Sequence, residues 1–188
     1  IKKGADIDSV DMNDNSALAL ALSFGEIDIA NLLIEKGADI DSVDMNDNSA
    51  LALALSFGKI DMANVLIGKG ADIDHANKDG YTALMLASAN GHVEAVELLC
   101  QKGAKVDYQD INGYTALTFA AGNGHVDVVE LLCEKGADVN HQDREGYPLI
   151  MLALDNGYND VVDALFKTGR ISFKGISMEA AIKFSSNP

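Results

Sequence analysis

The chain has 188 residues, a formal net charge of −15 and an apolar fraction of 48%. That apolar content supports a folded protein and argues against disorder, and no apolar run is long enough to span a membrane. The acidic excess repels phosphate backbones, so nucleic acid is not an expected partner.

Taken from its start, the chain opens on "IKKG", which aligns with "IEKG" ending at Gly37 and reads as the tail of an upstream unit. "MNDNSALALALSFG" then occurs at Met12 and again at Met45, 33 residues on. The same interval separates Gly4, Gly37, Gly70, Gly103, Gly136 and Gly169, and also Gly25, Gly58, Gly91, Gly124 and Gly157. A fixed period of this size signals stacked repeats. The units fall at 4–36, 37–69, 70–102, 103–135 and 136–168. The first two differ only at Glu26/Lys59, Ile29/Met62, Leu32/Val65 and Glu35/Gly68, the mark of a duplication.

The third unit shows the anatomy best. "ADIDHANKDGY" is polar, ends near Gly80 and predicts a turn or finger. Thr82 is placed to cap a short helix over "ALMLASAN", which Gly91 closes. "VEAVELLCQ" predicts a second helix whose Val93, Val96, Leu98 and Leu99 form an apolar face, stopped by Lys102 and Gly103. "ALALAL" at Ala17–Leu22 alternates like a strand, but Ala and Leu are strong helix formers and later units break the alternation. It is read as helix, with Ala21, Ala54, Ala87, Ala120 and Ala153 marking close backbone packing. After the fifth unit, 169–188 shortens; Ser177 is expected to cap a helix over Met178–Phe184 that closes the stack, a further domain being the alternative.

"DGYTALMLASANGHVEAVELLCQKGADID" resembles an ankyrin repeat, and the resemblance runs from Ile1 to about Gly169. It implies an all-α solenoid of stacked helix–turn–helix units with β-hairpin fingers. It also implies a concave face, built by fingers and first helices, that binds other proteins. There are departures. Ala17, Ala50, Ala83 and Ala116 replace the family's proline, and Met85, Thr118, Ala19 and Ala52 its histidine. Asp14 and Asp47 stand where later units have Gly80, Gly113 and Gly146. Replacing Asp47 by Gly is expected to stabilise by about 1 kcal/mol.

No residue set for catalysis, metal or cofactor emerges. His92 and His125 follow Gly in equivalent places and are expected to brace turns; His75 and His141 lie two units apart on fingers. "DMNDN" at Asp44–Asn48 opens like a calcium loop but has Ser49 and Leu55 where that loop needs Gly and Glu. "GNGHVD" at Gly122 lacks the third glycine of a phosphate loop. "HVE" at His92–Glu94 lacks the cysteine pair of zinc deaminases. Cys100 and Cys133 hold equivalent places in successive units, about 10 Å apart, beyond the ~7 Å limit of a disulfide. They are read as reduced, partly buried thiols, which favours a cytoplasmic setting, or a host cytosol for a secreted effector.

The candidate binding surface comes from columns expected to face the groove. The fingertip column is Met12, Met45, Lys78, Ile111, Arg144; the column before the helix is Asn15, Asn48, Tyr81, Tyr114, Tyr147. An earlier finger column carries Val43 and the end of the first helix Phe57. Val43, Met45, Phe57, Lys78, Tyr81, Ile111, Tyr114, Arg144 and Tyr147 are therefore the expected partner-binding residues. Alternatively the tyrosines brace neighbouring fingers and Phe57 folds inward. The expected partner is a protein or peptide with an apolar anchor and some basic residues, held by a monomeric, non-catalytic interaction module. The alternative is an arm that targets or scaffolds a larger enzyme or effector whose chemistry lies elsewhere; a bare structural spacer ranks last.

Overall fold

The computed structural model describes residues 6–172. Five units each contribute a seven-residue and a nine-residue helix. They are α1 (Ala17–Ser23) and α2 (Ile27–Glu35), α3 (Ala50–Ser56) and α4 (Ile60–Gly68), α5 (Ala83–Ala89) and α6 (Val93–Gln101). The last two units give α7 (Ala116–Gly122) and α8 (Val126–Glu134), then α9 (Leu149–Asp155) and α10 (Asn159–Lys167). The alternating "ALALAL" segment is helical in both of its copies.

The helix starts follow from local chemistry. Ser16, Ser49, Thr82 and Thr115 each accept the backbone N–H three residues on, satisfying a donor the helix leaves orphaned. Thr115 and Thr118 form a reciprocal capping box. Pro148 takes this place in the fifth unit and supplies no side-chain cap.

First helices pack on first helices from α1 through α9, and second helices on second helices from α4 through α10. The core is therefore a ribbon along the stack. Ala54, Ala87, Ala120 and Ala153 are at most 1% exposed, and small side chains there let adjacent α-helices approach closely. On the second helix of the third unit, Ala95, Val96 and Leu99 are fully buried, while Val93 and Leu98 are partly so.

The fingers differ from the hairpins that the resemblance implied. Four of them close through one isolated antiparallel bridge each: Val10 with Ser16, Val43 with Ser49, Ala76 with Thr82 and Gln142 with Pro148. The residues between the bridge partners are spent on turns. Asp11, Asp44, Asn77, Asp110 and Asp143 each accept backbone N–H groups two and four residues on through Oδ1. These side-chain bonds take the place of a strand ladder.

Neighbouring units are stitched at three levels. Asp8, Asp74 and Asp107 accept the backbone N–H of Asp39, Lys105 and Asp138 in the next unit. His92 donates to the Ser56 carbonyl and His125 to that of Ala89, both at 2.9 Å, across the turn of the preceding unit. His75 and His141 likewise donate to the Asp47 and Gly113 carbonyls. All four histidines therefore brace the stack. The sixth segment is tied on one residue out of this register: Asn140, at the place of Asp107, accepts from Ser172 N–H, and Arg170 donates to the Cys133 and Ala137 carbonyls. The helix expected over Met178–Phe184 lies outside the described residues.

Candidate partner-binding face

The fingertips form a continuous row. Lys78 N–H donates to the Asn46 carbonyl, Ile111 to that of Asp79 and Arg144 to that of Asn112, at 3.0–3.2 Å. Met45 N–H joins the row through the side-chain oxygen of Asn15. Lys78 Nζ also donates to the Met45 carbonyl, at 2.7 Å. Met45, Lys78, Ile111 and Arg144 thus stand side by side with their main chains tied together. Met45 is 52% and Ile111 50% exposed, so two large apolar side chains face outward beside two cations.

The other sequence candidates divide. Tyr81 and Tyr114 are half-buried and share a neighbour, Phe119 of α7, at ring-centroid distances of 5.3 and 6.0 Å. Both contacts are edge-to-face. The tyrosines therefore brace an aromatic cluster while keeping part of each ring exposed. Val43 is half-buried in the bridge at the base of its finger. Phe57 does not fold inward: it caps the far end of α3 at 51% exposure. Seven helical residues, about 10 Å, separate it from the finger row. Tyr147 is exposed and its phenol donates to Asp155 on α9, which pushes the phenol pKa up to about 12.

Sequence reasoning misses two contributors. Phe119 interrupts a column otherwise filled by Leu20, Leu53, Leu86 and Leu152, and that break is its available signal. Asp110 is 2% exposed, and one of its carboxylate oxygens is buried with no hydrogen-bond partner. Nothing in the sequence separates it from the other finger aspartates.

Ile29 is exposed for a different reason. Ile29 is 50% exposed, whereas its equivalents Met62, Ala95, Val128 and Val161 are at most 2%. The preceding unit covers those four, and no described unit covers the first.

Among the described residues no group of His, Cys, Asp or Glu is arranged to hold a metal ion. A small, partly open cleft between the fourth and fifth units, lined by Tyr114, Thr118, His141 and Tyr147 among others, is about 20 Å³, room for one water. Cys100 and Cys133 are free thiols, and burial pushes both pKa values up. Among the described residues no helix is long and apolar enough to cross a membrane.

The family model for ankyrin repeats, three copies, matches residues 1–77, 41–110, 66–143 and 105–174. The chain belongs to the ankyrin repeat family. Ankyrin repeats are in general protein–protein interaction modules, and their fold is typically non-catalytic. No curated protein matches the chain.

Proposed function

We propose that this ankyrin stack is a non-catalytic module that holds a partner protein or peptide on the face built by its fingers and first helices. The observation that carries this reading is the fingertip row. Met45 and Ile111 stay about half exposed although the fingers around them are tightly stitched by backbone bonds. Apolar side chains held rigidly in the open bind a partner at small entropic cost. Lys78 and Arg144 beside them, and the tyrosine rings below, complete a mixed apolar and polar surface of hot-spot composition.

The net charge of −15 favours a partner with basic residues and disfavours nucleic acid. The stack is proposed as a monomer, and the two free thiols support a reducing compartment, the cytoplasm.

The test is affinity capture from lysate with three baits. One is the chain itself. One has Met45, Phe57 and Ile111 changed to Ser, all exposed enough for the fold to survive. One has Asp61, Glu94 and Asp127 on the second helices changed to Ala. A partner retained by the first and third baits and lost by the second supports the reading. A partner lost only by the third bait moves the binding face to the second helices and overturns it.

A further inference from the structure

If the finger face holds a partner, as proposed above, its aromatic cluster specifies one of that partner's side chains. Phe119 lies between Tyr81 and Tyr114, nearly perpendicular to both, at interplanar angles of 85° and 89°. An edge-to-face contact occupies one ring face, so this cluster keeps electron-rich faces available. All three residues are partly exposed.

Beside the rings stands the unpaired carboxylate oxygen of Asp110. Its Oδ1 accepts from the N–H groups of Asn112 and Tyr114, while Oδ2 is buried and unpartnered. The equivalent side chain one unit earlier is Asn77, whose Nδ2 donates to Asn48 at 2.7 Å. The residue at the place of Asn48 one unit on is Tyr81. Asp11 and Asp44 have their Oδ2 met by the Nδ2 of Asn15 and Asn48 four residues on; at Asp110 that place is Tyr114, so neither Tyr81 nor Tyr114 supplies the side-chain amide donor that Oδ2 lacks. Burial, and then the carboxylates of Asp110 and Asp79, oppose ionisation of the Tyr81 phenol. The local potential is negative. Of the fingertip cations on either side, Lys78 is engaged on the Met45 carbonyl.

The geometry points to an arginine side chain of the partner lying on the Tyr81–Phe119–Tyr114 rings, with Asp110 as its buried counter-charge. A guanidinium is planar, stacks on aromatic faces and is weakly hydrated, so it suits a half-buried ring cluster better than an ammonium. The apolar anchor then belongs to Met45 and Ile111, one finger to either side of Lys78.

A random dodecapeptide library displayed on phage and selected on the whole chain supplies the probe. For the tightest peptide, each arginine is replaced by citrulline, its neutral isostere, and binding is measured by calorimetry at low and high salt. Three proteins are compared: the chain itself, Asp110→Asn and Phe119→Leu. Both variants copy residues the chain already uses one unit earlier, Asn77 and Leu86, so both retain the fold.

The expected result is one arginine whose replacement weakens binding about tenfold in the unaltered chain and about threefold or less in either variant. Peptides that lose affinity on Ile111→Ser but contain no such arginine overturn the inference and leave the groove reading standing. Enriched peptides indifferent to Ile111→Ser and Asp110→Asn, or no enrichment at all, overturn both.

Discussion

Asp47→Gly is expected to stabilise the protein. Asp14 and Asp47 are the only non-glycine residues with positive φ among the described ones, at 63° and 68°. The equivalent Gly80, Gly113 and Gly146 have φ of 80–85°. The left-handed region costs an ordinary L-residue roughly 1–2 kcal/mol, with Asp at the lower end. Against this, glycine gains about 0.4–1 kcal/mol of extra freedom in the unfolded chain. The Asp47 carboxylate itself does little: its Oδ2 lies 3.9 Å from His75 Nε2, and both groups are partly exposed. The stronger tie, from His75 to the Asp47 carbonyl, is to main chain and survives the substitution. The net gain is about 0.5 kcal/mol, a rise of roughly 1–2 °C in Tm for a chain of this size. Gly80→Asp should do the reverse and more. A Cβ at Gly80 would lie 2.9 Å from the Asp110 Cα, so the fingers must part as well as strain, at roughly 2 kcal/mol or more. Urea denaturation followed by circular dichroism measures both. A midpoint that stays or falls for Asp47→Gly refutes the argument that these two fingers carry backbone strain.

Ser88 sits fully buried in α5 with an unpartnered hydroxyl, so Ser88→Ala should raise stability by up to about 1 kcal/mol; a fall in stability would reveal a bond to that oxygen. His92→Ala removes the bond to the Ser56 carbonyl and should cost about 1–2 kcal/mol, read from the same denaturation curves; an unchanged midpoint would show that the imidazole carries no load between units. Tyr147 should ionise late in an ultraviolet pH titration of the native chain, near pH 12, because its phenol donates to Asp155. The folded pKa lies above the unfolded value of about 10, so this bond contributes below pH 10 and is lost as pH rises through 12. Asp155→Asn should move that titration down, and a titration of Tyr147 that does not respond would contradict the pairing.

The repeat period made most of the fold legible. One unit, read for its cap at Thr82, its stop at Gly91 and its apolar face around Val96 and Leu99, gave the helices of all five. The braces at His92 and His125 were legible for the same reason: Gly-His recurs at one place in successive units, and each ring meets the equivalent carbonyl of the unit before it. The fingers were legible as turns but not as hairpins. Their aspartates and asparagines bond their own main chain, which leaves one bridge where a ladder was expected. The aromatic cluster was least legible. Column reading compares a residue with its equivalents above and below, whereas Tyr81 and Phe119 belong to different columns and different units. Asp110 looks like any finger aspartate until burial and the missing partner of one oxygen set it apart.

Site-specific photo-cross-linking tests the central claim most directly. A benzophenone amino acid is placed singly at Met45, Ile111, Asp61 and Asp127 of the otherwise unaltered chain, and each is irradiated in lysate. A common cross-linked partner at Met45 and Ile111, absent at Asp61 and Asp127 on the second helices, is the result expected of a finger-face binding module. Cross-links confined to Asp61 and Asp127, or none at any of the four positions, would contradict it.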